Sequence, residues 1–335
     1  MKTGEVKAML AALRPRQVAL IRAIAGRPRV DDSFLKGGYQ EADLIAFGTD
    51  VITAFGFDWT CGRQDKSVHP FAQSIGPHDV RITTRFVESQ PFGTLFGSMH
   101  ETGHALYEQG VNPVHHRTQL EGGTSLGVHE SQSRLWENLV GRSRPFWEHF
   151  YPALQKKFAS KLGAVPLGQF YKGINKVERS PIRVEADEAT YNLHIMLRVE
   201  LEIALIEGHV AVKDLPEAWN GRMQEYLGLT PDGDAKGVLQ DIHWSAGLFG
   251  YFATYTLGNI IASQLWEKYG QVEPTRDDQI RRGEFKPLRE WLRTAVHQHG
   301  RMYQSQELVR RASGSAISPE PYLRYLETKY KEIYS

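Results

Sequence analysis

Cysteine is almost missing from this chain. Cys61 is the only one among 335 residues, so no intramolecular disulfide can form. That suits a reducing compartment, and a cytoplasmic location is expected. Nothing near Cys61 in the sequence is arranged to activate its thiol, so a cysteine nucleophile is not expected. Long apolar runs are missing too. No stretch approaches the ~20 residues needed to span a bilayer. The first residues lack the apolar segment of a secretory signal, so neither export nor a membrane partner is expected. Nor is there an excess of charge of one sign: Lys+Arg 40 against Asp+Glu 39 leaves +1, and nothing in that balance argues for nucleic acid. Internal repeats and low-complexity linkers are absent. What is present is 41% hydrophobic and 11% aromatic residues, enough for a sizeable core in one large domain or two lobes.

The periodicity is mostly helical. Apolar residues recur at helical spacing over 4–25, with Pro15 as an interruption or a boundary, and again over 40–55. Residues 56–77 carry glycine, aromatics and histidine without a clear period and read as irregular structure. Residues 79–86, Asp-Val-Arg-Ile-Thr-Thr-Arg-Phe, are the best strand signal. Such a strand either pairs with an extended peptide or belongs to an ordinary hairpin. Further helices are expected over 127–140, 144–162, 186–210, 215–226, 285–299 and 319–333. The aromatic run 241–268 reads as a central buried helix, with a break near Gly247 or Gly250. The fold class is mainly α with one small β element.

One stretch carries chemistry on its face. His100-Glu101-Thr102-Gly103-His104 is a His-Glu-x-x-His array flanked by Leu95, Phe96 and Met99 before it and Ala105, Leu106 and Tyr107 after it. In a helix, His100 and His104 lie one turn apart on one face. Two imidazoles so placed can hold one Zn²⁺ at about 2.0–2.1 Å. Glu101 beside them is free to take a proton from water. The alternative is a helix with two incidental surface histidines, and a third ligand decides between them.

A third ligand of the form His-x-x-Gly-x-x-His is excluded, because Tyr107 and Gly110 occupy those places. The remaining candidates are Glu121, Glu130 and Glu137, with His115 and His116 as loop residues expected at the surface. Glu121 sits in a Gly-rich loop. Glu130 opens a predicted helix in His129-Glu130-Ser131-Gln132, where a first-turn carboxylate is favoured by the helix dipole. Glu130 is therefore the expected third ligand. Glu137, two turns on along the same face, is expected to support a ligand from behind.

Together these residues resemble the carboxypeptidase Taq family of zinc metallocarboxypeptidases. Three further stretches match its pattern: Asp79-Val-Arg81-Ile-Thr83, Ile182-Arg183-Val-Glu-Ala186-Asp187, and Gly237-Val-Leu-Gln240-Asp241-Ile-His243-Trp244. The resemblance implies a helical, gluzincin-like zinc-peptidase fold and a single catalytic domain over 1–335, of one or two lobes about a cleft. It also implies one Zn²⁺ per chain (with Co²⁺ or Mn²⁺ as substitutes), peptide substrates and a homodimer. Family members usually begin with a considerable helical region before the point matching Met1. This sequence lacks it, as a natural short form or a truncation, so cleft closure and restriction on substrate length are expected to differ.

The resemblance also suggests roles. Glu101 is the expected general base. His243 and Tyr251 are the expected oxyanion donors, and Tyr255 is the alternative tyrosine or simply a core aromatic. Arg81 or Arg183 is expected to hold the substrate's terminal carboxylate, unless each is instead the structural partner of Asp79 or Asp187. Gln240, Asp241 and Asp187 are expected to orient the site, Asp241 as partner of a histidine. The expected activity is removal of C-terminal residues from peptides. The alternatives are an oligopeptidase with an opened cleft and a catalytically idle zinc-binding homologue.

Overall fold

The computed structural model describes every residue except Pro77. In chain order its elements are α1 (Thr3–Ala25), α2 (Glu41–Phe55), β1 (Gly62–Lys66), β2 (Ala72–Gly76), β3 (Asp79–Thr84), α3 (Gly93–Gly110), α4 (Leu126–Arg134), α5 (Arg144–Lys157), α6 (Ala159–Leu162), α7 (Leu167–Ile174), α8 (Glu188–Ile206), α9 (Leu215–Leu227), α10 (Ala253–Val272), α11 (Arg276–Arg281), α12 (Lys286–Ala295), α13 (Ser305–Ser313) and α14 (Glu320–Ile333). The chain divides into two compact units. One holds Met1–Arg29, Asn175–Leu257 and Pro319–Ser335; the other holds Val30–Ile174 and Gly258–Ser318. No helix of the described residues is long and apolar enough to cross a membrane.

In the first of these units α1 runs unbroken through Pro15. The carbonyl that loses its helical partner there belongs to Ala11, which is exposed, so the interruption costs little. Helix α8 is buried on nearly every side from Ala189 to Leu201. Asp187 caps it, accepting the N–H groups of Ala189 (2.9 Å) and Thr190 (3.0 Å). One turn of α14 supplies Lys329, whose ammonium lies 2.6 Å from Glu188 with both side chains only 5% exposed. Tyr325 donates to the same carboxylate at 3.2 Å. Removing one member of so buried a pair strands the other charge. Lys329→Met is expected to lower the unfolding free energy by about 3–5 kcal/mol, and adding Glu188→Gln to recover most of it. Urea unfolding measures both; a single-variant loss under about 1 kcal/mol contradicts the pair's importance.

In the second unit, the segment 56–76 is irregular only in part: it contains β1 and β2. Strand β1 (Gly-Arg-Gln-Asp-Lys) has no β-branched residue, so pairing with β3 rather than propensity makes it a strand. The order is β1-β3-β2, with β1 parallel and β2 antiparallel to β3. Strand β3 is thus the central one and both its edges are taken. This corrects the expectation that it could pair with an extended peptide. Its inner face, Val80 and Ile82, packs with Ile52 of α2, Phe57 and Ala105 of α3. The core beyond is aromatic: Phe55 stands 4.5 Å from Trp136 and 5.0 Å from Phe285, centroid to centroid. After α4 the helix continues as a π-helix, Leu135–Val140, and the Gly141 N–H bonds the carbonyl of Trp136, five residues back.

The run 241–268 is broken near Gly247 and Gly250, as expected, but what precedes the break is not helix: the helix begins only at Ala253. Gly247 and Gly250 both take positive φ (75° and 82°), and the segment before α10 is a series of turns. Short helices α7, α11 and α13 fall where no helix was expected.

Candidate metal centre

The centre lies in the second unit and is built on α3. Leu95, Phe96 and Met99 on one side of the array, and Ala105, Leu106 and Tyr107 on the other, are all buried. That packing fixes the helix and leaves His100 and His104 side by side, rings 5.0 Å apart. Helix α4 reaches them because two glycines admit it. A Cβ on Gly103 would lie 2.5 Å from the Gln132 carbonyl oxygen and from the Ser133 Cα; a Cβ on Gly258 of α10 would lie 2.4 Å from Glu130 Cγ. Glu130 therefore arrives by close backbone approach from both sides. It sits in the second turn of α4, not the first: the helix starts at Leu126, behind Ser125, whose hydroxyl accepts the Val128 N–H at 3.3 Å. The helix dipole is thus not what places it.

Glu130 Oε2 is 3.7 Å from His100 Nε2 and 3.5 Å from His104 Nε2. One ligand atom from each of the three residues falls within a 4.8 Å group. Tetrahedral bonds of about 2.0–2.1 Å would separate the ligand atoms by ~3.3 Å, so the donors stand nearly as a zinc-sized ion needs them. The electrostatics point the same way. Burial disfavours a charged His100, yet the carboxylates of Glu130, Glu137 and Glu101 raise its pKa on balance. His104 is driven the other way, to about 4, by burial and by the neighbouring His129 and His100, and so offers a neutral imidazole. Glu101 is buried beside them, and burial, with the charges of Glu130 and Glu137 adding, pushes its carboxyl up to about 7.

Each ligand has a partner behind it. His100 Nδ1 is 2.9 Å from Glu137 Oε2, as expected of that glutamate. His104 Nδ1 is 2.7 Å from His129 Nδ1, and His129 Nε2 is 2.7 Å from Glu108 Oε1. Arg134 donates to Glu130 Oε1 at 2.7 Å and to Glu137 Oε2 at 3.2 Å. Burial would raise the Glu130 carboxyl; the Arg134 guanidinium, with the two histidines, holds it well below the usual carboxylate range.

The remaining predicted residues fall in two places. Arg81, in the second unit, pairs bidentately with Asp79 at 2.8 Å on the exposed side of β3. The others are in the first unit. The carboxylate partner of Arg183 is Asp241 (2.7 Å), not Asp187, and its third nitrogen reaches the Tyr191 hydroxyl at 3.1 Å. Asp241 also binds the fully buried Arg198, at 2.6 Å. Gln240 accepts the Arg183 N–H (2.8 Å) and donates to the Pro181 carbonyl (3.0 Å), pinning the loop. His243 Nε2 is 3.1 Å from the Tyr255 hydroxyl, and its ring lies 5.3 Å from that of Tyr251. Asp241 is 3.8 Å from His243 Nδ1, too far for a hydrogen bond. Asp187 is committed to capping α8. Among the discarded ligand candidates, His115 is buried rather than at the surface, while His116 is exposed and lies 3.3 Å from Glu121.

The family profile described as Carboxypeptidase Taq (M32) metallopeptidase matches residues 1–330. The chain belongs to this family. It is 47% identical to thermostable carboxypeptidase 1 of Thermus thermophilus, over all of this chain and 66% of that protein. It is 38% identical to carboxypeptidase 1 of Bacillus subtilis, over 97% of this chain and 65% of that one. The crystal structure of the M32 carboxypeptidase from Deinococcus radiodurans R1 superposes with a TM-score of 0.97 at 45% identity, covering all of this chain and 67% of the other. The chain thus spans about two thirds of the length of the curated M32 relatives it matches.

Within this M32 chain, reasoning from sequence missed Arg134, Glu108 and the inward role of His129. Arg134 had a signal: it lies four residues after Glu130, the spacing at which a helical carboxylate and a cation meet. Glu108 likewise follows His104 by four. His129 had no local signal, since its contact with His104 depends on how α4 crosses α3.

Proposed function

We propose that this chain carries the centre of a zinc-dependent metallocarboxypeptidase. The observation that carries the reading is a buried Glu101 beside a His100–His104–Glu130 ligand group, in a member of the M32 family. Two imidazoles and a carboxylate suit Zn²⁺, with Co²⁺ or Mn²⁺ as substitutes, and three protein ligands are the complement of a catalytic site. When bound, the ion would supply a Lewis acid that acidifies a water and polarises the scissile carbonyl. Glu101 takes the proton of the attacking water and delivers it to the leaving amine. His243 and Tyr251 would be neutral donors suited to a developing oxyanion, an assignment that rests on resemblance to helical zinc peptidases, with only His243 inside a matched motif.

Two arginines remain candidates for the substrate carboxylate, and both already hold one. At Arg81 the exchange costs little, because its pair with Asp79 is exposed. At Arg183 the exchange is tolerable for another reason: Asp241 keeps Arg198.

The test is hydrolysis of an N-blocked dipeptide and of its C-terminal amide, with and without a chelator. The acid should be cleaved and the amide spared; chelation should abolish cleavage and added Zn²⁺ restore it. Equal cleavage of acid and amide replaces the reading with an oligopeptidase. No cleavage by zinc-loaded protein makes it an idle homologue. Arg81→Gln and Arg183→Gln then identify the reader, as the variant that raises KM for the acid.

A further inference from the structure

His104 has two ring nitrogens and two different neighbours. Nε2 faces Glu130 inside the ligand group, and Nδ1 faces His129 Nδ1 at 2.7 Å. Two ring nitrogens at that distance share one proton between them. If Nε2 of His104 is the metal ligand, its Nδ1 must carry hydrogen and donate. Nδ1 of His129 must then accept, which puts the His129 hydrogen on Nε2. That nitrogen is 2.7 Å from Glu108 Oε1, which can only accept when ionised. One arrangement of hydrogens therefore satisfies the whole chain from Glu108 to the ligand group. The members are held in place independently. The His129 ring lies 5.1 Å from that of Tyr107, and Glu108 Oε1 also accepts the Gly123 N–H at 3.1 Å. A Cβ on Gly123 would lie 2.7 Å from the His129 ring, so the loop closes directly over it.

We propose, resting on the metal site assigned above, that His129 and Glu108 are positioning residues for the metal. Glu108 polarises His129, and His129 fixes the tautomer and orientation of His104 and strengthens its Nε2 as a donor. The two ligand histidines are then supported unequally. His100 has a carboxylate at its back directly, through Glu137, while His104 has one at a single remove. Supports of this kind typically change metal affinity roughly 10–100-fold. The dyad also explains why a histidine stands next to the ligand Glu130. Residues 129 and 130 are neighbours on α4, one turned to the back of His104 and the other into the ligand group.

Metal affinity tests this, with Zn²⁺ and Co²⁺ titrated against a chromophoric chelator into wild type, His129→Phe and Glu108→Gln. The visible absorption of the Co²⁺ forms is recorded alongside, since it reports ligand geometry rather than fold. His129→Phe should weaken binding roughly 10–100-fold and shift the Co²⁺ bands. Glu108→Gln, which keeps size and shape and removes only charge, should weaken binding less and in the same direction. Far-UV circular dichroism of the metal-free proteins establishes that each variant is folded. Should the phenylalanine variant fail to fold, the isosteric glutamine variant decides alone. Wild-type affinity and an unaltered Co²⁺ spectrum in folded Glu108→Gln overturn the inference and leave the metal site standing. A wild-type protein that binds neither ion overturns the metal site itself.

Discussion

Glu101→Gln is expected to bind metal as the wild type does, to lose peptide hydrolysis roughly 10²-fold or more, and to be the more stable protein without metal at neutral pH. The first two effects follow from its place: adjacent in sequence to a ligand, one helical step off the ligand face, and buried. The third follows from the direction of its pKa. Burial raises the carboxyl from 4.5 to about 7, so the folded metal-free protein prefers it protonated. Below pH 4.5 both folded and unfolded chains carry the proton, and the residue costs nothing. Between 4.5 and 7 the unfolded chain releases it while the folded one does not, and a penalty grows. Above 7 the penalty is complete, at about 3 kcal/mol. A glutamine is neutral throughout, so the variant should gain on wild type by that amount above pH 7 and match it below 4.5. Urea unfolding of both metal-free proteins from pH 4 to 8 tests the sign. Parallel stability curves would remove the buried-acid argument, and near-normal turnover of zinc-loaded Glu101→Gln would remove the base.

The second large effect is steric. Gly103→Ala should destabilise the protein by about 3 kcal/mol and weaken metal binding more than any change to a supporting residue. The new methyl would meet backbone atoms of α4, which cannot turn aside as a side chain can. Helix α4 must therefore withdraw, taking Glu130 from the two histidines. The control lies on the same helix. A Cβ on Gly97 meets only Pro70 Cγ, at 3.9 Å. There the same substitution should stabilise, by up to about 1 kcal/mol, because alanine is the better helix former. Thermal unfolding and zinc titration of the two variants give opposite signs if close crossing is what builds the site. Two similar small effects would mean that α4 can shift freely.

What could be read in advance divides along physical lines. The pairing of His100 with His104 was legible because their relation is local: four residues, one turn, one face. Glu137 and Glu130 were legible because they share a helix with a usable period. Strands β1 and β2 were not, because their strand character comes from β3, to which they are hydrogen-bonded, and not from Gly-Arg-Gln-Asp-Lys or Ala-Gln-Ser-Ile-Gly. The break near Gly247 and Gly250 was legible from the glycines, but the turns before it were not, because apolar content continues upstream of α10. Asp187 was weighed as the structural partner of Arg183 because the two are neighbours in the chain, yet the arginine's partner Asp241 lies 58 residues away. The burial of His115 escaped notice because a histidine pair in the loop Gly110-Val-Asn-Pro-Val-His-His looks like surface.

The π-helical turn after α4 has a consequence for how this chain can vary. A regular α-helix would close the same stretch with fewer residues per turn and better hydrogen bonds. Shortening Leu135–Val140 by one residue would leave a helix, and a tighter one. It would also turn everything after it by about 100°. Glu137 behind His100, and Arg142 at 3.5 Å from Glu137, lie within or just after that stretch. Stability and function thus pull apart within a single turn. A deletion that improves the helix would spoil the aim of the groups behind the ligand, so length here is held by the centre rather than by the fold.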